Sequence, residues 1–208
     1  MGLEIQMKTI KLFYATNNKS KLHNMRFRLQ NYPIEVLCPD DLNLHIEVEE
    51  NGSTAVENAL HKATEYYKKV QLPTIAGDSG VVLTGVAEED QPGLFVRRVN
   101  GKVLTDDEMI DHYAGLARKT GKPCTLQYVT GIALISEDGI KTMELLDRPL
   151  QLCAEPNQNR KHKGNPLDVV TKTADGRYFN DLFDEERIIY DQQGEQQFTE
   201  FVVSNLLK

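Results

Sequence analysis

The order strand, polar turn, helix at the start of the chain constrains its fold more than any other feature. Lys8 to Ala15 (KTIKLFYA) reads as a strand, Thr16 to Lys21 as a polar turn, and Leu22, Met25 and Leu29 recur at helical spacing. That order presents a helix N-terminus to an anion. Ile34 to Leu37 is a second short strand, with Pro33 before it and Pro39 after. Thr54 and Glu57 form a T-x-x-E capping box, and Val56, Ala59, Leu60, Ala63, Tyr67 and Val70 mark one face of the helix behind it. Pro73 ends that element and Thr74 to Ala76 begins another strand. Thr105 and Glu108 make a second box, leading a helix whose apolar face is Met109, Ile110, Tyr113, Leu116 and Ala117. Leu126 to Ser136 and Lys141 to Leu152 read as two long strands joined through the turn Glu137-Asp138-Gly139. A last helix starts near Glu195, with Phe198, Phe201, Val202 and Leu206 on one side. Early alternation followed by an antiparallel pair predicts an α/β protein, a mixed sheet with packed helices.

A chain of 208 residues suffices for one sizeable domain, or one with two lobes around a cleft. Met7 directly precedes the first strand, so residues 1–6 are expected to be a dispensable leader and 7–208 the domain. Met1 to Gln6 has no basic n-region, and no apolar run reaches the length of a membrane span. No membrane partner is expected. Cys38, Cys124 and Cys153 are too few and too scattered for a disulfide framework or a cysteine zinc site. They read as buried thiols in a reducing, cytoplasmic compartment. The net charge of −7 makes the chain a poor general polyanion binder, so no nucleic-acid partner is expected. A small phosphorylated ligand remains open to it, given a metal and a few local lysines.

Four stretches carry chemistry. Thr16-Asn17-Asn18-Lys19-Ser20-Lys21 places a hydroxyl, amides and lysines at a helix start, which suits a polyphosphate but equally describes a capped helix with solvated lysines. Its lack of glycine excludes a Walker A loop. Glu47 to Gly52 clusters carboxylates that can hold Mg²⁺ or complement the helix dipole. Ala76-Gly77-Asp78-Ser79-Gly80 sets one Asp at what reads as a strand end, placed either to hold a metal or to sit in a tight turn. Arg160 to Asp168 is an unusually basic stretch in an acidic chain, suited to phosphates or a base, or simply a solvated loop.

Taken in order, these stretches resemble the inosine triphosphate pyrophosphatase family, which removes deaminated purine nucleotides. The residues are T-x-N-x-x-K (Thr16, Asn18, Lys21), then E-E-x-G-x-T-x-x-E-N-A-x-x-K-A (Glu49, Glu50, Gly52, Thr54, Glu57, Asn58, Ala59, Lys62, Ala63), then D-S-G (Asp78, Ser79, Gly80), then Pro92-Gly93 with Arg98 and Gly101. The likeness is close over the first hundred residues and looser beyond.

The resemblance implies an elongated mixed-sheet fold with two lobes around a central cleft, usually dimeric. It implies attack of water on the α-phosphorus of a nucleoside triphosphate, releasing pyrophosphate. Glu49 and Asp78 match the Mg²⁺ ligands, and Asp78 also the general base. Thr16, Asn18 and Lys21 match phosphate contacts, Ser79 lies beside the substrate, and Arg98 completes the early set. Late in the chain Asp168 and Arg187 align with substrate-binding positions, while Gln192 and Gln193 stand where the family has His-Arg reading the purine edge. Gly77 stands where the family has the first of two aspartates. These departures leave two alternatives beside the leading reading: a pyrophosphatase with altered base preference, and a non-catalytic nucleotide-binding or regulatory protein on the same fold. The loss of the cationic pair also suggests that Arg160, His162 and Lys163 take over part of the contact with base or sugar.

Overall fold

The opening apolar run becomes strand β1 (Ile10–Tyr14), and the helix behind it is α1 (Lys19–Leu29). The computed structural model describes residues 9–162 and 164–207, so residues 1–6 and Lys163 lie outside the described residues. The chain continues through β2 (Ile34–Leu37), α2 (Ala55–Val70), β3 (Thr74–Thr84), the small pair β4 (Arg98–Val99) and β5 (Lys102–Val103), and α3 (Asp106–Thr120). It then forms β6 (Cys124–Ser136), β7 (Gly139–Leu146), β8 (Leu150–Leu152), β9 (Thr171–Lys172), α4 (Asp184–Tyr190) and α5 (Gln192–Leu206).

The expected mixed sheet is present. β1 pairs in parallel with β2 and β3, because a helix-bearing connection returns the chain each time. β6 pairs antiparallel with β8, and β8 with β9. The order is β2-β1-β3-β6-β8-β9, with β7 on β6.

The chain divides into two compact units. One contains the described residues up to Gly77, Gly131–Met143 and the chain from Gln196; the other contains Asp78–Thr130 and Glu144–Glu195. The first unit buries Phe13, Ala15, Ala76, Ala133 and Ile135 against Ala59, Ala63 and Tyr66 of α2. The second packs Met109, Ile110, Tyr113, Leu116 and Ala117 of α3 on Val81, Leu83, Leu126, Leu152 and Val169. The α3 face is thus the one its periodicity marks. On α2 the face is rotated: Ala55, Asn58 and Tyr66 are buried, whereas Val56, Leu60, Tyr67 and Val70 are only half-buried.

Three local expectations change. The stretch around Asp78 is not a strand end but the middle of β3. A Cβ on Gly80 would sit 2.8 Å from the Gly93 carbonyl oxygen, which already accepts from Val81 N at 2.9 Å. That glycine therefore serves a close backbone approach and not a turn. The long strand 141–152 is broken at Asp147-Arg148-Pro149 into β7 and β8, where proline cannot donate to a ladder. Finally, α5 starts at Gln192, ahead of Glu195, and the short helix α4 precedes it.

Candidate functional site

In the first unit, the turn after β1 is built by its own polar side chains. Thr16 Oγ1 accepts from Asn18 N at 3.2 Å, and Asn18 Oδ1 accepts from Ser20 N at 2.9 Å and Lys21 N at 3.1 Å. Asn18 is therefore the N-cap of α1, and its oxygen satisfies two amides that an anion could otherwise take. No acidic residue lies in the first turn of α1, so the positive end of its dipole is not offset there. Thr16, Asn18 and Lys21 are brought together at this one helix start.

The long acidic motif resolves into a set of loop-to-helix ties. Thr54 caps α2 by accepting from Glu57 N at 3.1 Å. Glu57 reaches back to Ser53, accepting from its amide and hydroxyl at 2.7 Å each, and not to the Thr54 amide that a full capping box requires. These bonds hold the Glu57 carboxyl below its ordinary range. Asn58, 2% exposed, accepts from Gly52 N at 2.8 Å, and Lys62 pairs with Glu50. Ala59 and Ala63 are fully buried. Glu49 sits on the loop thus pinned, exposed, and receives a 3.3 Å bond from Asn51 Nδ2. Gly131 of β6 packs so closely on the first turn of α2 that a Cβ there would collide with the backbone of Ala55 and Val56. Sequence reasoning missed this residue; an isolated Gly inside a strand pattern is the signal that could have found it.

Gly77, also of the first unit, leaves room. A Cβ there would meet the Gly131 carbonyl oxygen at 3.7 Å and the Tyr14 hydroxyl at 3.8 Å, ordinary contact distances. Burial pushes the Tyr14 phenol up to about 12, against the lowering pull of Arg28.

In the second unit, Asp78 and Ser79 lie half-buried in β3, and Ser79 Oγ is 3.1 Å from Thr130 Oγ1 on β6. Arg98 is exposed, its guanidinium 5.7 Å from the Phe95 ring centre, while the neighbouring Arg97 is tied to Leu104 O and Asp106. Asn165 caps a 3-10 turn over Pro166–Val170, and its Nδ2 donates to the Tyr128 hydroxyl at 2.9 Å. Burial first, and the nearby Asp168 charge second, raise the Tyr128 phenol well above its ordinary range.

Asp168 and Arg187, expected at the substrate, meet each other. Asp168 is 1% exposed, and Arg187 Nη1 donates to its Oδ2 at 2.7 Å. The same guanidinium donates to Phe179 O at 2.9 Å and Leu182 O at 3.4 Å and lies 4.6 Å over the Phe179 ring. Gln192 and Gln193 open α5 and are exposed. The described residues of the basic loop, Arg160 and His162, have partners on α3. Arg160 pairs with Asp107 at 3.2 Å and Asp111 at 3.1 Å, and His162 Nε2 lies 3.5 Å from Asp106 Oδ2. The acidic side chains Asp107 and Asp111 along α3 attract the Arg160 guanidinium.

All three cysteines are free thiols: Cys38 and Cys124 are buried as expected, whereas Cys153 is only half-buried. No helix among the described residues is long and apolar enough to cross a membrane.

The mixed α/β fold of the described residues is similar to that of solved Ham1 proteins. That from Coxiella burnetii superposes with a TM-score of 0.73 at 24% identity, covering 94% of this chain and 99% of that one. The one from Staphylococcus aureus gives 0.72 at 20% identity, over 94% and 99%. A model of the Ham1 family matches residues 12–145, and the chain belongs to that family. The dITP/XTP pyrophosphatase of Leptospira interrogans is 34% identical over 123 residues, 57% of this chain and 61% of the relative. That of Haemophilus influenzae is 40% identical over 96 residues, 46% and 48% of the two chains. The chain thus spans about half to six-tenths of the length of these curated relatives. The resemblance read from the motifs is borne out.

Proposed function

We propose that this chain is a Mg²⁺-dependent nucleoside triphosphate pyrophosphatase that converts a deaminated purine ribo- or deoxyribonucleoside triphosphate to the monophosphate and pyrophosphate. The carrying observation is the division of labour in the acidic motif. Thr54, Glu57, Asn58 and Lys62 all hold the loop to α2, and the pinned loop presents the exposed Glu49 carboxylate. Membership of the Ham1 family, and relatives named dITP/XTP pyrophosphatases, support the reading.

The donor chemistry fits Mg²⁺. That ion takes oxygen ligands, keeps several waters, and is held by one or two carboxylates together with substrate phosphates. Glu49 and Asp78 are the carboxylates proposed for it, and among the described residues no group of three or more acidic, His or Cys side chains is found. When bound, the metal supplies charge neutralisation and a more acidic water. Asp78 accepts the proton of the attacking water at a carboxylate oxygen. Lys21 binds phosphate oxygens at the start of α1, where no acidic residue offsets the helix dipole, with Thr16 and the Asn18 amide nitrogen beside it. Ser79, oriented by Thr130, contacts the substrate, and Arg98 adds positive charge. Asp168 and Arg187 support the base side, and Gln192 and Gln193 meet the purine edge with neutral amides that both donate and accept. A homodimer in the cytoplasm belongs to this reading, and the free thiols are consistent with a reducing compartment.

Pyrophosphate release measured with and without Mg²⁺ across ITP, XTP, dITP, dUTP, GTP and ATP tests the proposal. Turnover of ITP, XTP or dITP that needs Mg²⁺ and disappears in a folded Asp78→Asn variant is the expected result. Binding of triphosphates without hydrolysis of any would establish a non-catalytic binder instead.

A further inference from the structure

A chain of stacked cations and rings runs through the second unit and ends beside the glutamine pair. Arg187, bound to the buried Asp168, lies 4.6 Å over the Phe179 ring. Phe179 meets the Tyr190 ring edge-on, with centres 6.0 Å apart. The Arg148 guanidinium covers Tyr190 at 4.6 Å. Arg148 also donates from Nη1 to Tyr190 O at 3.2 Å and from its backbone amide to Asp191 Oδ1 at 3.0 Å, and Tyr190 OH donates to Pro149 O at 2.7 Å. The break between β7 and β8, which the sequence pattern reads as continuous strand, therefore has a use: it turns Arg148 and Pro149 onto the corner between α4 and α5. The other Asp191 oxygen folds over Gly194, where a Cβ would collide with it. Gln192 and Gln193 lie between these two fastened residues.

We propose that Arg148 is a specificity-positioning residue that holds the Gln192–Gln193 pair in its base-reading orientation. The inference rests on the reading that these glutamines meet the purine edge. Arg148 touches no ligand in it. Tyr190 and Asp191 carry its effect to the next two residues, and the link to Phe179 and Arg187 couples the corner to the Asp168 pair. Neutral amides discriminate by geometry alone, because a misplaced amide finds water or the wrong base edge equally well. A pair without fixed charge therefore depends more on a rigid corner than a cationic pair does.

The test compares Arg148→Ala, Arg148→Lys and the double variant Gln192→Ala with Gln193→Ala. Two readouts are taken: the ratio of kcat/KM for ITP and ATP, and hydrogen exchange of the amides of residues 191–194. Arg148→Ala should move the ratio about three- to tenfold toward one and raise exchange at the corner, since it removes one hydrogen bond and one cation–ring contact. Arg148→Lys, which keeps a cation over the ring, should recover part of both. Unchanged exchange in Arg148→Ala would overturn the fastening. Raised exchange with an unchanged ratio, while the double glutamine variant does shift the ratio, would overturn the positioning role alone. A ratio that moves in neither Arg148→Ala nor the glutamine variant would remove the base-reading assignment of the glutamines, and the role of Arg148 with it.

Discussion

Replacing Arg187 by alanine should damage the fold more than ligand binding. Asp168 is 1% exposed, and its 2.7 Å bond from Arg187 joins two further bonds from the same guanidinium to Phe179 O and Leu182 O. Removing one partner of a buried pair costs about 3–5 kcal/mol, because the remaining charge stays out of water without its counter-ion. For a chain of this size each kcal/mol moves the melting temperature by about 2–4 °C, so a fall of roughly 6–20 °C is expected. Arg187→Lys keeps the charge but loses the fork that serves three acceptors at once, and should fall in between. Asp168→Leu combined with Arg187→Met should be milder than Arg187→Ala, since it leaves no buried charge. Urea unfolding of the four proteins measures the order. An Arg187→Ala protein within about 0.5 kcal/mol of the parent, with a raised KM for triphosphate, would refute the reasoning and favour a direct contact of Arg187 with the substrate.

Other outcomes follow from single sites. Lys21→Ala should leave stability within about 0.5 kcal/mol yet raise KM for a triphosphate roughly ten- to hundredfold, since charge-assisted bonds to phosphate are worth about 1.5–3 kcal/mol; titration calorimetry and a thermal melt separate the two. Gly77→Asp should fold normally, its Cβ meeting neighbours at 3.7 and 3.8 Å, whereas Gly80→Ala should lose about 1–3 kcal/mol against the Gly93 carbonyl at 2.8 Å; comparison of their melting curves decides. Lys102 and the Thr105 amide pull the Glu108 carboxyl down from 4.5 to about 2. The folded state thus binds fewer protons there, so this contribution is full above about pH 4.5 and is lost as the pH falls to about 2. The stability gap between parent and Glu108→Gln should close over that window, and a gap independent of pH would show that the α3 cap does not depend on the charge.

Much of the fold was legible because its signals are local. Ile34–Leu37 is a strand with the expected bounds, and the Thr105 cap with its Glu108 return forms as read, since both depend only on residues within four positions of each other. The position of Asp78 was not legible. A glycine-flanked Asp reads as a turn until the Gly93 carbonyl, distant in sequence, is seen against Gly80. The partners of the late residues were hidden for a related reason. Asp168, Arg187 and Arg160 look like ligand groups in a list of charges, and only their partners reveal that they are tied into the protein.

The sequence by itself determined the alternation of strand and helix, the caps, the face of α3 and the family, because periodicity, capping and motif spacing are properties of neighbouring residues. Tertiary structure alone decided which polar groups of each motif hold the backbone. Thr54, Glu57, Asn58 and Lys62 fasten a loop, Asn18 caps a helix, and Arg148 reaches the α4–α5 corner. A buried or constrained polar group needs a partner, and that partner is chosen by what the fold brings within hydrogen-bond distance, often from far along the chain.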